Sequence, residues 1–434
     1  MSEWINVIGG GLAGCEAAYY LAGQGQSVRL WEMRPQQMTP VHQGGGLAEL
    51  VCSNSLKSEL PDTAQGLLKQ EMKLLGSLLL RVAESCRVPA GAALAVDRER
   101  FSALVEREIE ACPLIHLHRQ ELEQLPRDEI SIIATGPLTS DPLAEQIAVS
   151  HGADNLFFFD AIAPSIYLHS LDMNMIYRAA RYDKGEADYL NCPLNQDQYQ
   201  AFVAALLEAD QMEGQAVDKK HLFQGCMPIE AIAAGGKDSL RFGPMRPVGL
   251  DDPRSGRRPY AVVQLRQENQ DGSVWGMVGF QTRIRWGEQQ RVFHMIPGLE
   301  RAEFVRYGMM HRNTFINSPQ VLSGSLQSCS NSQLFFAGQL CGVEGYMESA
   351  ASGIMAAINA LRWQRGQTLL IPPEQTMLGA LLRYISTDNR HFQPMNANFG
   401  LLSANNHKIK NKKERYYYYM VQSLEQMKNF VETL

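Results

Sequence analysis

The sequence predicts an α/β fold: a Rossmann-like parallel sheet suited to a dinucleotide, interrupted by an inserted α+β domain. Three observations predict it. The chain opens on a strand–glycine–helix–strand unit that ends in a carboxylate. Two later strands, near residues 133 and 336, run into small residues. Between them, from about 150 to about 325, the pattern changes to short β-branched and aromatic runs.

The opening unit comes first. Trp4 to Ile8 reads as a short buried strand, and Gly9, Gly11 and Gly14 follow with G-x-G-x-x-G spacing. Gly9 allows a tight turn, Gly11 lets backbone approach a pyrophosphate, and Gly14 lets the helix pack close to the strand. Leu12 to Ala22 reads as that helix, Gly25 ends it, and Ser27 to Trp31 is a second strand closing on Glu32. Backbone N–H groups at the helix start favour negative charge. Glu32 lies 23 residues after Gly9, near the ~20-residue offset of a carboxylate that accepts ribose hydroxyls.

Further elements follow in order. Ala48 to Ser58 passes from an apolar run into Cys52, Ser53, Asn54 and Ser55. Such small polar residues suit a loop facing a cofactor, and equally an ordinary helix-capping turn. Gly66 to Ala83 has helical periodicity throughout. Leu94 to Asp97 reads as a strand, Arg98 to Ile109 as a helix, and Leu114 to His118 as another strand. His116 and His118 share one face of that strand, as a metal pair or a solvated face would. Ile130 to Thr139 is a buried strand running into Ala134-Thr135-Gly136-Pro137, where a ligand can lie against backbone.

In the middle stretch, Tyr260 to Arg266 and Val274 to Trp286 read as antiparallel strands. Asn195 to Gln211 and Ala302 to Tyr307 read as more helical. Leu334 to Ala337 returns to a buried strand, Gly338-Gln339 end it, and Tyr346 to Trp363 form a helix rich in small residues. The divisions expected are therefore 1–150 and 326–434 for the dinucleotide-binding domain and 151–325 for the insert.

The totals narrow the function. The chain has 434 residues, 45% hydrophobic and 20% charged, with a net charge of −6. That excludes a protein basic all over, so any nucleic-acid contact must come from local patches. Two such patches exist. Residues 235–260 hold six Lys/Arg against three Asp, and 408–415 hold five against one Glu, the latter followed by Tyr416 to Tyr419. Cations beside aromatics suit phosphates and stacked bases, or a solvated helix face. No apolar run reaches the roughly 18 residues of a membrane helix. With no room for a signal peptide before the first strand, the cytoplasm is the expected location. None of the eight cysteines forms C-x-x-C, and none has zinc spacing, so no metal is expected.

Longer strings carry a more specific signal. Glu49–Ser58 (ELVCSNSLKS), Gly225–Glu230 (GCMPIE), Arg241–Leu250 (RFGPMRPVGL), Gly342–Gly353 (GVEGYMESAASG) and Pro394–Leu402 (PMNANFGLL) resemble the bacterial folate- and FAD-dependent tRNA (uracil-5-)-methyltransferases, and the resemblance covers nearly the whole chain. It implies a glutathione-reductase-like FAD domain. It also implies 5-methylation of the T-loop uridine at tRNA position 54, with methylenetetrahydrofolate as carbon donor. FAD would supply electrons, recharged by NADPH or NADH. Gly9, Gly10, Gly11, Leu12, Ala13, Gly14, Glu32, Gly136, Gly338, Gln339 and Gly345 would hold FAD. Cys226 would add to uracil C6, and Cys52 would be the second active-site cysteine. Arg241, Arg246, Arg283, Arg285 and the Lys408–Arg415 cluster are candidates for the folate tail and tRNA phosphates. Two departures stand out: Gln339 where some flavoproteins have Asp, and Cys341 where a threonine-like residue is expected. The alternative is an FAD-dependent oxidoreductase acting on a small molecule without RNA. The missing C-x-x-C and missing second glycine motif count against it.

Overall fold

The computed structural model describes residues 3–151, 156–183, 186–212, 227–389, 392–402 and 409–434, with backbone alone for 156–160, 183, 311 and 312. Strands are numbered in chain order. The central sheet is parallel and five-stranded, in the order β16 (Leu334–Phe336), β7 (Ser131–Ile133), β1 (Trp4–Ile8), β2 (Ser27–Glu32), β6 (Ile115–Arg119). From β1 the chain steps one way to β2 and β6, then returns to the other side for β7 and β16. The switch point lies between β1 and β7, where open α/β sheets bind ligands beyond the strands' carboxyl ends.

Apolar runs fill this sheet because both faces are covered. Val7, Leu30, Ile132, Ile133, Phe335 and Phe336 are fully buried. Helix α1 (Leu12–Gly23) packs against helix Tyr346–Gln364, both built largely of small residues. The approach is close enough that a Cβ on Gly353 would fall 2.2 Å from the Ala13 carbonyl oxygen.

A three-stranded sheet, β3 (Ser55–Ser58), β5 (Ala93–Val96), β4 (Arg87–Val88), flanks the loop after β2. Residues 66–83 form two helices, α2 (Ala64–Leu74) and α3 (Leu78–Ser85), rather than one. Gly76 adopts a left-handed φ of +77° and breaks the run. Ser77 caps α3 from its own side chain, and Glu16 of α1 accepts from the Ser77 hydroxyl and from the Leu78 and Leu79 amides. Glu71 of α2 does the same for helix Met377–Ser386, accepting from Met377 and Leu378 amides and the Ser423 hydroxyl. Burial raises both carboxyls to about 7 even against those donors.

The second large sheet is antiparallel and six-stranded, in the order β10 (Tyr177–Arg178), β11 (Tyr189–Leu194), β12 (Ala261–Gln267), β13 (Val274–Met277), β9 (Ser165–Tyr167), β14 (Phe304–Arg306). Its own core gathers Tyr199, Phe202 and Leu206 of helix Gln196–Glu208 with Trp275, Phe280 and Phe293. Two expectations change here. Ala302 to Tyr307 contains the edge strand β14, because Phe304 pairs with Ile166 of β9; for so short a segment edge pairing overrides local preference. The run from Val274 remains a strand only to Met277, and Trp286 begins a helix. The chain leaves and re-enters this region through an antiparallel pair, β8 (Leu156–Ile162) with β15 (Met309–Phe315).

Candidate active site

All five parallel strands end on one open cleft, the concave setting in which cofactors bind. Ile8 and Gly9 follow from β1, Glu32 from β2, Gln120 to Leu122 from β6, Ala134 to Gly136 from β7, and Gly338 and Gln339 from β16. The glycines divide by task. Gly9 has φ +107°, and a Cβ there would lie 2.5 Å from the Ala134 carbonyl oxygen across the switch point. A Cβ on Gly14 would fall 1.8 Å from the Gly9 oxygen, so Gly14 serves packing and does not line the cleft. Gly10 is likewise inside, against Leu47 and Glu32. Gly11 caps α1 with no protein atom within 4 Å of its Cβ position. It lines the cleft with Leu12 and Ala13, so the unpaired amides of the first helical turn face the cavity.

Glu32 is buried and saturated on three sides. Its Oε2 accepts from the Gly10 amide at 2.9 Å, and its Oε1 from the Arg34 amide at 3.0 Å and Arg34 Nε at 2.9 Å. Burial pushes this carboxyl up, but Arg34 and the two amides outweigh it and hold it below the usual range. A carboxylate offers about four acceptor positions; one remains on the cleft side for a hydroxyl. Arg34 is 2% exposed and also binds Glu49 Oε2 at 2.9 Å and the Gly44 carbonyl.

Val51 and Tyr346 also line the cleft. The Tyr346 hydroxyl oxygen accepts from the backbone amides of Cys52 at 2.8 Å and Ser53 at 3.0 Å. Cys52 is half-buried beside them. The Ala48–Ser58 stretch is thus a loop as far as Asn54, tied to the first turn of helix Tyr346–Gln364, and then strand β3.

The comparisons with known proteins follow from this geometry. A family model described as glucose inhibited division protein A matches residues 4–368. A relative from Syntrophomonas wolfei, named methylenetetrahydrofolate--tRNA-(uracil-5-)-methyltransferase TrmFO, is 61% identical over 433 residues, covering 100% of this chain and 99% of its own. One of the same name from Moorella thermoacetica is 54% identical over 417 residues, covering 96% and 95%. The chain belongs to the TrmFO family. A solved structure of Aquifex aeolicus GidA superposes with TM-score 0.69 at 15% identity, over 99% of this chain and 77% of that one, and shows the shared fold.

For a TrmFO-family chain the question is whether these residues fit FAD. They do: an uncapped helix start for a pyrophosphate, a free acceptor position on Glu32 for a ribose, and a cleft long enough to touch every strand end. Gly136 (φ +68°), Gly338 (φ +77°) and Gln339 all line it. Gly345 does not; it starts helix Tyr346–Gln364 against Glu348 and Lys57. Cys341 is fully buried, its thiol donating to the Gly338 carbonyl at 2.9 Å, and burial raises it to about 12. It acts there as a neutral thiol.

Other residues expected at the site are placed as follows. Cys226 lies outside the described residues; nearby Ile229 donates to the Gln281 carbonyl at 2.7 Å. Arg241 is committed within the protein, on Asp238, on the Tyr260 carbonyl and over the Tyr260 ring. Arg283 faces Glu230, while Arg246 and Arg285 are exposed. Lys412 and Arg415 sit over Tyr416 at the start of helix Lys412–Val431, and Tyr417 is 62% exposed; residues 403–408 lie outside the described part. His116 and His118 each meet a tryptophan, Trp4 edge-on and Trp31 stacked.

Sequence reasoning missed Thr39, His42, Gln120 to Leu122 and Ser349 on the cleft wall. For residues 120–122 a signal existed: the strand-end rule applied to β7 holds for β6 too. Thr39 and His42 reach the cleft from a long loop and left no pattern to read.

Proposed function

We infer that the chain methylates uracil C5 in tRNA, at the T-loop uridine of position 54. The carbon donor is methylenetetrahydrofolate, and NADPH or NADH restores the reductant; this reading places it in the cytoplasm. The observation that carries it is 61% identity, over essentially the full length of both chains, to a relative named for this reaction. No described helix is long and apolar enough to cross a membrane.

In this reading Gly11, Leu12 and Ala13 bind the FAD pyrophosphate, Glu32 its ribose, and Gly136, Gly338 and Gln339 the remaining wall. Bound and reduced by NADPH or NADH, FAD would supply the two electrons that take the transferred carbon from methylene to methyl. Uracil C5 is a poor nucleophile. A thiolate adding to C6 makes C5 an enolate carbon able to attack an electrophilic methylene, and cysteine suits that role because its thiolate is intrinsically nucleophilic. Cys226 is assigned that addition. Cys52, held beside the cleft by Tyr346, is assigned to the second thiol function. Exposed Arg246 and Arg285 and the Lys412–Arg415 turn supply cations for folate and tRNA.

The test is incubation of the purified protein with NADPH, methylenetetrahydrofolate and tRNA lacking T-loop methylation. Mass spectrometry should find 5-methyluridine, and Cys226→Ala should abolish it with flavin retained. NADPH oxidation indifferent to tRNA, with no modified base, would instead establish the small-molecule oxidoreductase.

A further inference from the structure

The Cys52 loop is gripped from behind by arginines of the antiparallel sheet. Arg306 of β14 donates from Nη1 to the Val51 carbonyl at 2.8 Å. Arg266 of β12 donates from Nη2 to Ser53 Oγ at 2.6 Å and from Nε to Asn54 Oδ1 at 3.0 Å. The residues on both sides of Cys52 are therefore each held by a guanidinium, while Tyr346 holds the amide of Cys52 itself.

Charge does not balance in this cluster. Arg98, at the start of helix α4 (Arg98–Glu110), pairs with Glu268 at 2.6 Å, and Glu268 also accepts from Ser165. Among the described residues that gives three guanidiniums and one carboxylate. Arg306 Nε and Nη2 are buried with no hydrogen-bond partner. A buried donor left unpaired costs about 1–3 kcal/mol, more when charged, so this edge of Arg306 calls for an anion. Burial pushes Arg306 down to about 10, with Arg98 adding to the shift and Glu268 and Cys52 opposing it.

Two acids on the gripped loop and its tether stand near these guanidiniums, the Cys52 thiol and the Tyr346 phenol. Burial raises Tyr346, and Cys52 raises it further. An ordinary thiol ionises near 8.5 and a phenol near 10, so the thiol yields its proton first. From β8, the Ala161 carbonyl lies 3.9 Å from the Cys52 thiol. Of β8's ionisable residues, Asp160 is described by backbone alone.

We propose that Arg306 and Arg266 are positioning residues that fix the Cys52 loop and keep Cys52 as a thiolate, so that the antiparallel sheet readies a thiol carried by the loop after β2. This rests on the reading of Cys52 as an active-site cysteine.

The experiment uses the flavin-loaded protein. The rate of Cys52 alkylation by iodoacetamide is measured from pH 5 to pH 10 by peptide mass spectrometry. Wild type should show a midpoint at least about one unit below 8.5. Arg306→Met should raise it by about a unit or more, and Arg306→Lys should restore most of the shift by keeping the charge. A wild-type midpoint at or above that of a free thiol would overturn the proposal. So would an Arg306→Met protein that keeps its flavin and its midpoint. Should Arg306→Met fail to fold, Arg266→Gln is read the same way. If the midpoints move as stated yet Cys52→Ala still methylates tRNA, the clamp stands and the catalytic reading of Cys52 falls.

Discussion

Arg34 lines the cleft and Arg306 holds Val51, which lines it too, yet the two guanidiniums are treated differently. Arg34 has Glu32, Glu49 and the Gly44 carbonyl around it. Arg306 has one carbonyl and two buried donors without partners. The first is a closed network that shapes a wall and fixes a carboxylate. The second leaves capacity unspent next to a thiol. A buried cation with no buried donor left unpaired reads as architecture; one with buried donors unpaired reads as chemistry.

Breaking the closed network should have the largest effect. Arg34→Met leaves buried Glu32 and half-buried Glu49 without the guanidinium they share, and should cost about 3–5 kcal/mol in urea-denaturation stability together with loss of bound flavin. A control away from the cleft comes next. Glu71→Ala removes the acceptor for two helix-start amides and Ser423, so about 2–4 kcal/mol should be lost in the same measurement, with flavin content unchanged in the folded fraction. Gly11→Val sharpens the comparison from the ligand's side. Its φ of −77° suits any residue and a Cβ there meets no protein atom, so stability should fall by only about 1 kcal/mol, the cost of Val in place of Gly at a helix N-cap. FAD affinity by fluorescence titration should still fall at least about tenfold, or ~1.4 kcal/mol. Equal affinity would mean that the first turn of α1 does not face a pyrophosphate.

The smallest expected effect is on pH dependence. The Glu32 carboxyl is held below its unfolded value. Its contribution is thus present above the unfolded carboxylate pKa of about 4.3 and is lost as pH falls through the folded value. The gap in denaturation midpoint between wild type and Glu32→Gln should be constant near neutrality and close below pH 4.3.

The two arginine clusters also differ in how much could be read in advance. The glycine turn, α1 and Glu32 lie within one βαβ unit, so their spacing encodes their geometry directly. Strand ends after β7 and β16 were legible for the same reason, since small residues there have a local cause. The Cys52 clamp has no local cause: Arg266 and Arg306 stand 213 and 255 residues from the atoms they bind. Their sequence neighbourhoods read as ordinary strand or, for residues 302–307, helix. The break at Gly76 was missed because apolar periodicity continues across it. Gly76 ends α2, and a capping hydroxyl with a glutamate from α1 starts α3, the glutamate being a tertiary contact that periodicity does not register.

The central claim is that the dinucleotide cleft and the Cys52 loop form one site. The most direct measurement is iodoacetamide labelling of Cys52 in flavin-stripped protein as FAD is titrated back, with binding followed independently by fluorescence. The account predicts that labelling slows in step with the fraction of FAD bound, since Val51 and Tyr346 on either side of the loop line the cleft. Labelling that stays constant while FAD binds to saturation would contradict it.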